Sequence, residues 1–189
     1  VRGEQSLLEF KEFLTAKKES IGEAWYQRIA GTYPADTASF LVRKKDRFDN
    51  PVGHAIAQTT GGSLDCLING AESAELRSCL QPLVRIRAVQ NFSPSEAVSF
   101  VFLLEDAVAE VLGGAAEEAG GAVLSALRAA VREMALLCFD IYAECREDIS
   151  QVKQDELKRN LYMLVRKAKD FGVAEVVEEG RAQWRERNA

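Results

Sequence analysis

One histidine and two methionines stand among 189 residues, and the four cysteines, at 66, 79, 138 and 145, form no CxxC pair. That scarcity argues against a closed zinc site, which draws four ligands from clustered Cys and His, so no metal and no cofactor is expected. The cysteines read as reduced thiols. A glycine-rich phosphate loop, a nucleophile elbow and a Ser, His, Asp arrangement in recognisable context are all missing, so nothing points to an enzyme. Long apolar runs are missing too. The richest, Ala97 to Leu104, is too short to span a bilayer and is closed by Glu105 and Asp106. The opening stretch VRGEQSLLEFKEFLTAKK alternates charge with apolar residues, unlike a signal peptide or an anchor. A cytoplasmic protein without membrane insertion is the expectation. Basic charge is also in short supply: 24 Lys and Arg face 29 Asp and Glu, a net charge of −5, which argues against nucleic acid as a partner.

What is present is ordinary globular material, 47% hydrophobic and 28% charged, in a chain long enough to build a core without staples. No proline follows Pro94, so nearly half the chain lacks the strongest helix breaker. Leu7, Leu8, Phe10, Phe13, Leu14, Ile21, Trp25 and Ile29 recur at spacings of three and four. They predict an amphipathic helix pair, or one helix bent near Lys17 to Ser20, over 6–31. Pro34 ends it, and Asp36 is the expected N-cap of a short helix carrying Phe40 and Leu41. Asn50-Pro51 opens another helix, which Asn69-Gly70 closes with a left-handed residue. The next runs from about Ser73, with Pro82 expected to kink or restart it.

Ser93-Pro94-Ser95-Glu96 has the form of a capping box with proline in the first turn. The segment Ala97 to Leu112 behind it is apolar around most of its circumference, which predicts one central helix. From Leu124 the positions Leu127, Val131, Met134, Cys138, Ile141 and Cys145 keep a 3-4 rhythm, resumed at Leu157, Leu161, Leu164, Ala168 and Phe171. This predicts helix to at least Asp170, and then, past Gly172, a short final helix or a frayed tail. The expected fold is all-α, either globin-like or an up-down helical bundle with a long C-terminal helix. It divides into a helical domain over 1–150 and a helical extension over 151–189 for dimerisation or partner binding.

Few residues suggest chemistry. His54, one turn into its helix, could serve as a haem ligand or a pH-sensitive group; packing against the preceding loop is the simpler role. Cys138 and Cys145 fall two turns apart on the apolar seam, where cysteine usually behaves as a small hydrophobe. Arg85 and Arg87, with Gln90 and Asn91 nearby, could hold an anion or an acidic partner, against a simpler reading as surface ion pairs. Glu105, Asp106 and Glu110 lack the Glu-x-x-His companion of a carboxylate metal centre.

Read together, EAWYQRIAGTYPADTASFL, FDNPVGHAI, LQPLVRIRAVQNFSPSEAVSFVFLL and the long heptad helix resemble the N-terminal domain of the RsbRD-type co-antagonists of the bacterial stress-signalling kinase RsbT, over roughly Leu7 to Tyr142. The resemblance implies a globin-related sensory module without haem, pairing through long helices that lead into a STAS domain. No STAS-like α/β segment follows the long helix in this sequence, so the expectation is an input domain acting alone, as a homodimer or with a signalling partner. Leu157, Leu161, Leu164 and Phe171 would form that interface. The alternative is a small-ligand or haem-binding helical protein, its pocket beside Phe100, Phe102 and His54.

Overall fold

The computed structural model describes residues 2–43, 48–90, 92–113, 120–170 and 184–187. Among them the protein is all-α, with no strand. The helices are α1 (Arg2–Ala30), α2 (Ala35–Arg43), α3 (Pro51–Asn69), α4 (Ser73–Val89), α5 (Pro94–Ser99), α6 (Leu103–Leu112) and the long α7 (Gly120–Asp170). Residues 184–187 are also helical. No helix among the described residues is long and apolar enough to cross a membrane.

The helix ends follow local chemistry. Asn50 Oδ1 accepts from the Gly53 amide at 2.7 Å, and Pro51 takes the first helical position, where no amide is needed. Gly70 closes α3 at φ 68°, ψ 42°, a conformation in which a Cβ is strained, and the Gly70 and Ala71 amides both return to the Cys66 carbonyl. The Ser93 capping box forms in full: its hydroxyl accepts from the Glu96 amide, while the Glu96 carboxylate accepts from the Ser93 amide at 2.9 Å. Asp36 is not an N-cap but lies in the first turn of α2, where its charge still favours the positive end of the helix. Pro82 neither breaks nor restarts α4, which runs through it.

The segment expected to form one central helix is instead two, α5 and α6, and a side chain causes the break. Trp25 Nε1 donates to the Phe100 carbonyl at 2.8 Å, engaging the acceptor that the Leu104 amide would use in a continuous α-helix. Leu104 donates to Val101 instead, and Val101, Phe102 and Glu105 likewise reach back three residues. The backbone tightens into a 3₁₀-like turn over 100–102, a common device between helices.

The chain divides into two compact units, Val1–Cys145 and Arg146–Ala189. In the first, α1 packs on α3 and α6, and α3 on α4. Their shared core includes Leu14, Ile21, Trp25, Ile29, Ile56, Leu64, Leu80, Leu83 and Phe100, all fully buried. The first half of α7 closes it with Leu127, Val131, Met134, Cys138 and Ile141, each no more than 2% exposed. Full burial of such a side chain is worth roughly 1.5–3 kcal/mol, so this half of the helix is held chiefly by its own domain.

Candidate functional site

Beyond Cys145 the same helix behaves differently. Leu157, Leu161 and Leu164 are 70%, 60% and 64% exposed, as are, to a similar degree, Val152 and Tyr162. At 100° per residue the three leucines fall within a wedge of about 60°, forming a stripe along one face of α7. Lys153, Glu156, Lys158 and Arg159 lie among them and are exposed as well. Phe171, expected to extend the stripe, and Gly172 lie outside the described residues, as does the tail apart from 184–187. Apolar residues gathered on one exposed helical stripe mark an interaction surface more often than scattered single ones do. The sequence rhythm found this stripe, but it did not distinguish the half consumed by the core from the half left open.

The first unit holds a second distinctive arrangement. Arg87, read from sequence as a surface residue, is fully buried. Its guanidinium donates from Nη1 to the Glu96 carbonyl at 2.9 Å and from Nη2 to the Thr32 hydroxyl at 2.7 Å. It also lies 5.0–5.4 Å from the ring centroids of Tyr33, Phe92 and Phe100. Its Nε has no partner. Burial lowers the Arg87 pKa, and the neighbouring Tyr33 opposes that shift. Burial raises the Tyr33 phenol, and Arg87 pulls it back. The charge is thus accommodated by carbonyl, hydroxyl and three π-faces. Spacing could have placed Arg87 inside: Leu80, Leu83, Val84, Arg87 and Ala88 share the buried face of α4.

This cage joins distant segments. Thr32 and Tyr33 belong to the α1–α2 turn, Arg87 to α4, and Phe92 and Glu96 to the entry of α5. Tyr142 of α7 donates to the Phe92 carbonyl at 2.8 Å, while Tyr33 reaches Gln90. Two further links tie α4 to α7: Ser73 donates to Glu133 at 2.6 Å, and Arg77 pairs with Glu144. The α1–α2 turn and α7 are therefore connected through one continuous set of contacts.

The other candidates are dispersed. His54 is half-buried in the first turn of α3, Phe100 is sealed against Trp25 with centroids 6.4 Å apart, and Phe102 is half exposed. None of the three is among the residues lining the five described cavities. No group of three or more His, Cys, Asp or Glu among the described residues is placed to hold a metal ion. Glu110 pairs with Arg28 at 2.9 Å, and Glu105 and Asp106 line a cleft beside Arg128. Cys138 and Cys145 are buried on α7, with burial pushing the Cys138 thiol up to about 12. Cys66 and Cys79 are only partly buried.

A family model described as the RsbT co-antagonist protein rsbRD N-terminal domain matches residues 19–157, well over half of the chain. Neither a curated protein nor a solved structure matches.

Proposed function

Because the chain belongs to the family of RsbT co-antagonist protein rsbRD N-terminal domains, we propose that it is a non-enzymatic sensory and regulatory module of bacterial stress signalling that pairs with a second copy through the distal half of α7. The observation that carries this reading is the change of fate of one apolar seam along the helix: Leu127, Val131, Met134, Cys138 and Ile141 are consumed by the core, whereas Leu157, Leu161 and Leu164 are left in water. A helix exposed on all sides gains little from propensity alone, and burying an apolar stripe against another helix supplies what is missing.

Magnitudes permit a pair. Six leucines, three from each copy, offer at most roughly 9–18 kcal/mol on full burial. Association costs about 4–15 kcal/mol in lost freedom. The two ranges overlap, so the stripe can offset the cost of association, and the paired fraction depends on concentration. Within this reading, the contacts from Thr32 through Arg87 and Phe92 to Tyr142 support a route by which a change near the α1–α2 turn reaches α7. Spatial continuity is an association, and its physical warrant would be a shift in pairing when a link is cut.

The test is the mass in solution, by sedimentation equilibrium, of the full chain and of Leu157→Glu/Leu161→Glu/Leu164→Glu. We expect the parent chain to approach twice its monomer mass as concentration rises, and the triple variant to stay monomeric with unchanged near-ultraviolet circular dichroism. A parent chain that stays monomeric, or a triple variant that pairs as well as the parent, would remove the role assigned to the stripe.

A further inference from the structure

Two of the four cysteines meet. Cys66, in the last turn of α3, and Cys79, in the second turn of α4, lie with their Sγ atoms 3.5 Å apart although they are 13 positions apart in sequence. The approach is built into the backbone. The turn between the helices is pinned by the Gly70 and Ala71 amides, which both bond to the carbonyl of Cys66 itself. Across the interface, Gly62 of α3 makes room for the Cys79 sulfur: a Cβ at position 62 would stand 2.9 Å from Cys79 Sγ. Glycine within a helix is unfavourable relative to alanine, and here its missing side chain is what admits the second thiol to the α3 surface.

Access distinguishes this pair from the rest. Cys138 and Cys145 are buried on α7, whereas Cys66 and Cys79 are each partly exposed. Cys66 also lines an open cleft of about 400 Å³, with Phe10, Leu67, Leu76 and Ala130 on its walls and Lys11 and Glu133 at its edge. A small neutral oxidant can enter there.

We infer that Cys66 and Cys79 are a dithiol modification site, closed by hydroperoxides into a disulfide that staples α3 to α4. The inference stands whether or not the chain pairs through α7. Peroxide transfers one oxygen to the first sulfur, leaving a sulfenic acid and one water. The second thiol then attacks that sulfur and gives up its proton, a second water departs and the S–S bond forms. In balance, two thiols and one hydrogen peroxide yield one disulfide and two waters. A disulfide needs about 2.05 Å between sulfurs, so ~1.5 Å of closure remains, within reach of side-chain rotation and a small helix shift. Burial and the adjoining Cys79 sulfur push the Cys66 thiol up to about 12, which keeps the Cys66 sulfur protonated and makes its attack on peroxide slow at neutral pH and faster as pH rises.

The full chain would be treated with hydrogen peroxide under native conditions, alkylated with N-ethylmaleimide in denaturant and mapped without reduction by mass spectrometry. The expected product carries a Cys66–Cys79 cross-linked peptide pair two hydrogens lighter than the reduced peptides, with Cys138 and Cys145 alkylated, and dithiothreitol restores four alkylatable thiols. In Cys79→Ser, whose folding is checked by circular dichroism, no internal disulfide forms. Four alkylated cysteines after oxidation of the parent chain would overturn the inference, as would Cys66 linked to any cysteine other than Cys79 or an equally abundant internal disulfide in Cys79→Ser.

Discussion

A guanidinium sealed among three aromatic rings is costly to bury, and at Arg87 the cost is offset by those rings, by the Thr32 hydroxyl and Glu96 carbonyl, and by the nearby Glu96 charge. Arg87→Ala leaves the Thr32 hydroxyl and the Glu96 carbonyl without their donor and opens a cavity under Phe92, so it should destabilise by about 3 kcal/mol or more in urea unfolding. Arg87→Met fills most of that volume without a charge and should recover a substantial part of the loss. If alanine proved as mild as methionine, neither the volume nor the hydrogen bonds of Arg87 would be supporting the fold. Glu96 gives a second test at this scale. Its hydrogen bonds from Ser93 hold the carboxyl below its usual value, so its contribution is present above the ordinary carboxyl range and lost as pH falls through the lowered folded value. Ser93→Ala should flatten this part of the acid dependence in thermal melts between pH 3 and 6; an unchanged slope would contradict it. The capping box was legible in the order of four residues, because its chemistry is local. Arg87 was misjudged because its charge outweighed its phase: the spacing from Leu80, Leu83 and Val84 already put it on the inner face.

At the scale of elements, α7 makes the sharpest prediction, since apolar residues of similar size meet opposite environments along one helix. Met134→Ala should cost about 2–5 kcal/mol, as for a core truncation, while Leu161→Ala should change the stability of the isolated chain by less than about 0.5 kcal/mol. Denaturation at a concentration low enough to keep copies apart reads both values; similar losses would mean that the distal leucines are buried within the chain after all. Helix periods gave the extent of α1, α3, α4 and α7 from sequence, because amphipathic spacing is a property of each segment alone. The division of Ala97–Leu112 was not legible in that way. It depends on Trp25 capturing a carbonyl 75 residues away, a tertiary contact that no local pattern records. The meeting of Cys66 and Cys79 was hidden for the same reason, since it arises from the pairing of α3 with α4.

For the molecule as a whole, the sequence rhythm announced a long apolar seam but not which stretch of it the core consumes. That depends on where the core ends, and the first unit closes at Cys145. A net charge of −5 on the chain modestly opposes the approach of two copies, so added salt should strengthen pairing slightly if apolar burial drives it. The central claim is that a single helix is stabilised by its own domain at one end and by a second copy at the other. Amide hydrogen exchange along α7, measured over a series of protein concentrations, tests it most directly. We predict protection over 127–145 that is independent of concentration, and protection over 153–165 that rises as copies associate. Distal amides that exchange at the same rate at every concentration would contradict the claim.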